Sequence, residues 1–251
     1  GVTKSYSQID FTVLEECMRE DLNFSCLRKI AVLSPITLII ENLDDDHYEE
    51  CFAPNHPKFP DLGKRIINFG KELFIDNNDF QEKPEKGFFR LSPGSRVRLR
   101  YAYIFECTGY EKDLNGNITT VKGMILKDSK SGTPGANTHK VKGNIHWLFK
   151  KESRKATINV YDRLLKDTQI EFGYDKNDSG NETDSYQNIN DNSHTILNSY
   201  VEDSLKDSSE GDTFQFERHG YFILHKKVKN KPMIFNKTVS LKDTWQKVST
   251  K

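Results

Sequence analysis

Short segments rich in β-branched and aromatic residues, separated by turn signals, dominate the sequence. They occupy residues 36–42, 96–107, 118–126, 141–149, 213–225 and 234–241. Such composition is typical of β-strands. Between the second and third segments stands Asn115-Gly116, a dipeptide that predicts a hairpin turn. Short strands at this spacing favour antiparallel barrels or sandwiches, and a chain of 251 residues has room for two.

One stretch, residues 8–22, has the spacing of a helix. Ile9, Val13 and Cys17 recur every four positions, and Ser7 precedes them as a candidate N-cap. Nowhere does an apolar run approach the roughly 18 to 20 residues that cross a bilayer. The sequence therefore predicts a mainly β protein with a short N-terminal helical segment, and no membrane partner.

The formal net charge is 0, which taken alone argues against a nucleic-acid partner. The acids, however, are concentrated in two stretches. Between Glu41 and Glu50 there are six acids and no Lys or Arg, and between Asp167 and Asp212 there are twelve acids and two lysines, so the remainder of the chain carries +16. We therefore expect a basic folded body with acidic surface loops. Residues 173–194, rich in Asn, Asp, Ser and Gly, are predicted to form a disordered insertion.

Motifs for catalysis and metal binding are missing. Cys17, Cys26, Cys51 and Cys107 form no CxxC pair, which predicts free thiols in a reducing compartment. There is no HExxH, and the histidines have no second ligand at metal spacing along the chain, so no metal site is expected. No Gly-rich phosphate loop, GxSxG or nucleophile–base pair is present. We expect no catalytic residue and no cofactor in this chain.

Arginines and aromatic residues lie together in the segment before and within residues 96–107. If these residues form one strand, the period of two places Arg98 and Arg100 on one face, about 6.6 Å apart. Arg90 follows Phe88 and Phe89. Arginine forks can grip a phosphate or a base edge, and aromatic rings beside cations form platforms for unpaired bases. The same spacing also fits a solvated face paired with neighbouring acids.

Residues 213–225 show a similar alternation. Phe214 and Phe216 are predicted to face inward, and Gln215 and Glu217 outward, with Gly220 at a bulge. Gln215 can read a base edge because its amide both donates and accepts. Cations mixed with aromatics on the sheets of a +16 body favour RNA with unpaired bases over duplex DNA.

Several longer runs, in their order along the chain, resemble the C-terminal half of the glutaminyl-tRNA synthetase family. They are RKIAVLSPITLIIEN, PNHPKFPDLGKR, GFFRLSPGSRVRLRYAY, FQFERHGYF and FNKTVSLKDTW. Glutamyl-tRNA synthetases of archaeal and eukaryotic type share this architecture, but FQFER and the final run favour glutamine. The resemblance covers nearly the whole chain except residues 173–194.

The resemblance implies two antiparallel β-barrels. Residues 1–26 would be a helical link to a catalytic half, residues 27–80 and 155–247 a proximal barrel, and residues 81–154 a distal barrel inserted into it. The partner would be tRNA(Gln), bound by a monomeric, cytoplasmic ligase. The ATP-binding signatures of the class, HIGH and KMSKS, are absent from this chain. ATP and Mg²⁺ would therefore serve a catalytic half elsewhere, and this chain alone would be inactive.

The resemblance also assigns roles to single residues. Arg28, Gln215 and Arg218 match family residues that hold the central anticodon base, and Arg98 and Arg100 match those at the first base. Arg90, with help from Lys86, matches the residues at the third base. Asn23 and Lys58 match positions that contact the anticodon stem. Three positions depart from the bacterial pattern, namely Lys58, Gly87 and Phe89.

Two other classes of protein remain open from the residues themselves. One is a free-standing RNA-binding β-barrel protein. The other is a protein-interaction module whose basic faces pair with its own acidic loops. The second would show no RNA binding, or binding that is insensitive to salt, whereas phosphate contacts weaken steeply as salt rises.

Overall fold

The computed structural model describes residues 11–164 and 189–242. Its one helix within these ranges, α1, spans Phe11–Ser25. Residues 8–10 lie outside the described part of the chain; from Phe11 onward the helix predicted over residues 8–22 is confirmed, and it continues to Ser25. Met18 and Leu22 of α1 pack against Cys26, Tyr221 and Val239 and so dock the helix on the sheet that follows. This helix is too short and too polar to cross a membrane.

Sixteen strands are the main regular elements of the described chain. In chain order they are β1 (Leu27–Lys29), β2 (Ala31–Val32), β3 (Pro35–Ile40), β4 (Tyr48–Pro54), β5 (Lys64–Gly70), β6 (Glu72–Asp76), β7 (Arg96–Leu99), β8 (Ile104–Lys112), β9 (Ile118–Leu126), β10 (Gly143–Ile145), β11 (Leu148–Phe149), β12 (Arg154–Tyr161), β13 (His194–Val201), β14 (Thr213–Phe216), β15 (Gly220–Lys226) and β16 (Met233–Val239). Short 3₁₀ turns at Asn77–Asp79, Lys127–Ser129 and Pro134–Asn137 matter for the site below.

The first sheet has the strand order β1-β14-β15-β16-β12-β13-β2. Its two outermost strands, β1 and β2, are separated only by Ile30, so the sheet curls back toward itself. Pairs β1–β14 and β12–β16 are parallel and the remaining neighbours antiparallel. Alternate side chains fill the interior, where Ile158, Phe216 and Phe235 are fully buried.

The second sheet has the order β10-β7-β8-β9-β3-β6-β11. Here too the outermost strands are close in sequence, since only His146 and Trp147 separate β10 from β11. Trp147 is fully buried and packs edge-to-face on Phe69 of the β4–β5 ribbon, with ring centroids 5.1 Å apart. The prediction of a mainly β fold with two barrel-like sheets and an N-terminal helix is confirmed, although each sheet also contains parallel pairs.

Three segments that read as single strands contain a break. Residues 96–107 form β7 and β8, joined by a turn in which Tyr101 adopts a φ of 68°. Residues 213–225 form the antiparallel pair β14–β15, with Arg218 at φ 71° in the turn. Residues 141–149 split into β10 and β11. None of these three breaks contains an Asn-Gly pair, so the sequence carries no turn signal that would divide the segment. The hairpin predicted at Asn115-Gly116 is confirmed between β8 and β9, with Gly116 at φ 85°.

Sheet membership differs from the expected domain boundaries at two strands. β3 and β6 fall within residues 27–80, which the resemblance places with residues 155–247. Both belong instead to the sheet of residues 96–149, because β3 pairs with β9 and β6 pairs with β3 and β11. Residues 165–188 lie outside the described part of the chain, and they include residues 173–188 of the predicted disordered insertion (173–194). Its last residues form a turn that leads into β13 at His194.

Candidate nucleic-acid interface

The turn between β14 and β15 places Arg218 on a buried carboxylate. The Nη1 and Nη2 atoms of Arg218 donate to Oδ2 and Oδ1 of Asp79 at 2.7 and 2.5 Å, and Asp79 is fully buried. Asp79 closes the 3₁₀ turn after β6, so this pair joins the two sheets. Burial lowers the pKa of Arg218, but the hydrogen bond and charge of Asp79 outweigh it and the pKa is raised. The guanidinium is therefore charged and fixed in orientation.

Arg90 approaches the same carboxylate. Its Nε lies 3.3 Å from Asp79 Oδ1 and its Nη1 donates to the carbonyl of Asn78 at 3.0 Å, while its side chain stays 42% exposed. Arg90 and Arg218 both line an open pocket of about 610 Å³. Lys142 and Phe89 stand on its rim, the ammonium 5.1 Å from the ring centroid. The amide groups of the pocket come from Asn78, Gln81 and Asn144.

Glu217 anchors the other side of the turn. It is only 4% exposed, whereas the sequence predicts it to face outward. Its carboxylate accepts from Arg100 Nε at 2.9 Å, Arg65 Nη2 at 3.3 Å and Tyr101 Oη at 3.1 Å. The prediction is wrong because the strand ends at Phe216, so the alternation of faces no longer holds at the next residue.

Arg65 extends this network to a second buried carboxylate. It lies in β5, and its Nε is 2.9 Å from Oε1 and 3.0 Å from Oε2 of Glu202, which is 4% exposed. Lys29 Nζ lies 3.3 Å from the same carboxylate, and the backbone N–H of Ile30 donates to it at 2.9 Å. Burial lowers the pKa of Lys29, and the charge of Glu202 opposes that shift. Glu202 belongs to the second acidic stretch, which is therefore not made of surface loops alone.

The fold brings Arg28 and Gln215 side by side. They are register partners in the parallel pair β1–β14, and Tyr221 of β15 is the register partner of Gln215 on the other side. Gln215 Nε2 donates to Tyr221 Oη at 3.2 Å. The guanidinium of Arg28 is held by the carbonyl of Cys26 at 2.6 Å and by Asn23 Oδ1 at 2.7 Å. Burial lowers the pKa of Arg28.

Arg98 and Arg100 do not stand side by side. Because the chain turns after Leu99, Arg100 reaches Glu217, whereas Arg98 turns toward the loop after β9. Arg98 donates to the carbonyls of Ser129 at 2.5 Å and Ala136 at 2.6 Å. It thereby fixes the two 3₁₀ turns of that loop, and burial lowers its pKa. The shared arginine face predicted from the period of two is wrong.

Lys86 and Lys58 are exposed. Lys86 precedes Gly87, which has a φ of 94° and lines the open pocket. Lys58 donates its backbone N–H to His56 Nδ1 at 3.1 Å. His56 Nε2 lies 3.1 Å from the carbonyl of Asn23, so the two residues assigned to the stem are linked through one imidazole.

Sequence reasoning missed the carboxylates that organise the site. Asp79, Glu202 and Glu217 are all buried and together hold Arg90, Arg218, Lys29, Arg65 and Arg100. It also missed a cluster of Asp76, His146 and His219, whose ligand atoms lie within 4.8 Å of one another. These three residues have no metal-ligand spacing along the chain, but folding brings them together from distant parts of the sequence. All four cysteines are free, and burial raises the pKa of Cys51 to about 12.

The arrangement presents fixed cations, amides and an exposed ring around an open pocket. Phe89 is 55% exposed. A planar group could stack on such a ring while guanidinium and amide groups bond its edge. No cluster of nucleophile, base and orienting residue is formed by the groups described around the pocket.

Two family models match this chain, and both describe the anticodon-binding domain of class I tRNA synthetases (E and Q). They cover residues 26–125 and 144–225. The chain therefore belongs to the anticodon-binding domains of class I aminoacyl-tRNA synthetases. The matched residues include most strands of both sheets, although not β16, and the segments that carry Arg90, Arg100 and Arg218.

Among curated proteins, the chain is similar to bacterial glutamine–tRNA ligases. It is 48% identical over 249 residues to the one from Nitrosomonas europaea and 46% identical over 249 residues to the one from Ralstonia pickettii. The ligase from Polynucleobacter asymbioticus is 46% identical over 254 residues. Each alignment covers 98% of this chain but only 42–43% of the relative, so the chain spans about two fifths of their length.

Proposed function

We propose that this chain recognises the anticodon of a glutamine tRNA as part of a glutamine–tRNA ligase. The observation that carries the proposal is the convergence of Arg90 and Arg218 on buried Asp79 beside a pocket with an exposed phenylalanine. A pocket of about 610 Å³ is within the roughly 300 to 1,000 Å³ of small-ligand sites. One unstacked base fits it, with its ring on Phe89 and its edge toward the amides.

The central base belongs, in this proposal, to the face formed by Arg28 and Gln215. No described residue donates to the carboxamide oxygen of Gln215, which can therefore accept from a base, while Tyr221 positions the amide nitrogen. Arg28 supplies positive charge behind it, held by Asn23 and Cys26. Reading a base by hydrogen bonds discriminates strongly because a wrong base leaves buried groups unpaired.

Three features of the whole protein follow as part of the same proposal. The ligase would attach glutamine to tRNA(Gln) with ATP and Mg²⁺ in a catalytic domain outside these 251 residues. It would act as a monomer in the cytoplasm. The glutamine assignment rests on the similarity to glutamine–tRNA ligases over 98% of the chain.

Binding of tRNA(Gln) to the 251-residue chain, compared with tRNA(Glu) and an anticodon-swapped tRNA(Gln), tests the proposal. We expect Arg90→Ala to weaken binding of tRNA(Gln) about tenfold, which corresponds to about 1.4 kcal/mol. Gln215→Ala should instead reduce the difference in affinity between tRNA(Gln) and the anticodon-swapped tRNA. Filter binding or fluorescence anisotropy measures both.

Arg96→Ala is the matched control for Arg90→Ala. Arg96 is 50% exposed and pairs with one carboxylate, that of Glu106, at 2.7 Å. Its loss should leave tRNA affinity within twofold of the unmodified chain. Equal affinity of the unmodified chain for all three tRNAs would contradict anticodon recognition, and preference for tRNA(Glu) would contradict the glutamine assignment.

A further inference from the structure

Asp76, His146 and His219 form a cluster at the junction of the two sheets that the anticodon proposal does not use. Asp76 ends β6, and His146 lies between β10 and β11, so both belong to the second sheet. His219 lies in the β14–β15 turn of the first sheet, directly after Arg218. The imidazole rings of His146 and His219 meet edge-to-face with centroids 5.0 Å apart.

Three ring nitrogens in this cluster have no hydrogen-bond partner among the described residues, although one of them, His219 Nε2, lies 3.3 Å from Asp76 Oδ2. His146 is fully buried, and neither its Nδ1 nor its Nε2 forms a hydrogen bond with a described residue. His219 Nε2 is also buried without a hydrogen bond. A buried polar atom left unpaired costs about 1–3 kcal/mol. Orphaned nitrogens that face a carboxylate indicate a ligand that satisfies them.

We propose that Asp76, His146 and His219 bind one Zn²⁺ ion, which links the two sheets beside Arg218. Two imidazoles and one carboxylate are a ligand set that zinc takes in proteins. Zinc–ligand bonds near 2.0–2.1 Å at tetrahedral angles separate two ligand atoms by about 3.3 Å. His219 Nε2 and Asp76 Oδ2 lie 3.3 Å apart, and all three ligand atoms lie within 4.8 Å of one another.

The carboxylate of Asp76 is already oriented to bind a metal ion. Asp76 is 4% exposed, and its Oδ2 accepts the backbone N–H of Leu33 at 3.1 Å. Second-sphere hydrogen bonds of this kind orient metal ligands. Asp76 and His219 also line a cavity of about 360 Å³ that includes Asn78, Asp79, Arg90 and Arg218. A water molecule in this cavity can supply the fourth ligand.

Nearby charges do not forbid a cation there. Arg218 and Arg90 share Asp79, and Arg100 shares Glu217 with Arg65, so these cations are partly neutralised, and Asp76 itself adds a further negative charge. Burial, and then the charges of His219 and Arg218, hold the pKa of His146 well below its ordinary value.

Metal binding to the metal-free 251-residue chain tests this site. Titration with Zn²⁺ in competition with a chromophoric chelator should give one site per chain, and zinc should raise the melting temperature. Co²⁺ as a probe should produce the visible absorption bands of a tetrahedral site. In His219→Gln we expect zinc affinity to fall at least tenfold, with the cobalt bands and the zinc-dependent rise in melting temperature both lost.

His139→Gln is the matched control. His139 pairs with exposed Asp128 at 3.0 Å on the surface, so its loss should leave the zinc site unchanged. All variants carry Cys17→Ser, because Cys17 is an exposed thiol that could bind zinc by itself. Circular dichroism checks the fold of His219→Gln, and Asp76→Asn provides a second ligand variant.

Two outcomes would overturn the proposal. One is the absence of a stoichiometric zinc site in the unmodified chain, as expected if a buried water satisfies the histidines. The other is zinc binding by His219→Gln and Asp76→Asn that is as tight as zinc binding by the chain that carries Cys17→Ser alone. Neither result bears on anticodon recognition, which is measured on tRNA.

Discussion

Glu217 is the single residue that most directly links the two sheets. Its carboxylate receives Arg65 from β5 as well as Arg100 and Tyr101 from the turn after β7, while its backbone N–H donates to the carbonyl of Lys29 at 2.9 Å. Partners arriving from three directions fix the turn that carries Arg218. Removing one partner from a buried ion pair leaves the other charge uncompensated.

Glu217→Gln should therefore destabilise the fold by about 3 kcal/mol, because Arg65 and Arg100 lose their shared negative charge. Urea unfolding followed by the fluorescence of buried Trp147 measures the change. Glu106→Gln is the control, since Glu106 pairs with half-exposed Arg96 at the surface. Exposed pairs contribute about 0–1 kcal/mol, so the control should be nearly neutral. Equal losses in the two variants would show that the buried network does not hold the junction.

At the scale of single elements, the sequence predicts strands well where turns carry their usual residues. β9 has the bounds that composition predicts, and the β8–β9 hairpin forms at Asn115-Gly116. The breaks within residues 96–107 and 213–225 could not be predicted, because Tyr101 and Arg218 occupy the left-handed positions there. A left-handed backbone costs a non-glycine residue energy that tertiary contacts must repay, and those contacts are invisible in a local pattern.

The candidate site, like the strands, could be predicted from the sequence only in part. Arg28 and Gln215 are neighbours across two strands, while Arg98 and Arg100 diverge because the strand between them ends. No local pattern indicates that Asp79 is buried, since the aspartate stands in the polar run IDNND and its partners are 11 and 139 residues away. Buried partners of this kind are set by topology alone.

Gly143 of β10 shapes the open pocket through a close backbone approach. A Cβ built there lies 2.0 Å from the carbonyl oxygen of Phe89 and 2.8 Å from Val97. Gly143→Ala should push the segment with Phe89 and Arg90 outward and weaken tRNA(Gln) binding about tenfold, or about 1.4 kcal/mol. Anisotropy titration with labelled tRNA measures the loss.

Gly109→Ala is the control for this substitution. Gly109 also lies in a strand of the second sheet, β8, and a Cβ there has no atom within 4 Å. Its tRNA affinity should match that of the unmodified chain. If Gly143→Ala binds tRNA normally while its melting temperature shows a folded protein, the pocket beside Phe89 is not where the base lies.

At the scale of the whole molecule, the zero net charge results from cancellation, and the structure shows two kinds of acid behind it. Some acids are exposed, such as Asp45, whereas Asp79, Glu202 and Glu217 are buried and hold cations in place. The buried acids position arginines at the junction of the sheets. The basic groups nearest the pocket therefore work as an organised surface.

The salt dependence of tRNA binding distinguishes this surface from a protein-interaction face. Each phosphate that the chain neutralises in single-stranded RNA adds about −0.7 to the slope of log affinity against log salt. If Arg90, Lys86 and Lys142 contribute about three such contacts, the slope should be about −2, and affinity should fall by roughly 20-fold between 50 and 200 mM salt. The anticodon-swapped tRNA should bind more weakly at every salt concentration but with the same slope, because phosphate contacts carry no sequence information. A slope near zero would favour the interaction module, and a steeper slope for tRNA(Gln) than for the swapped tRNA would mean that recognition of the anticodon itself depends on phosphate contacts.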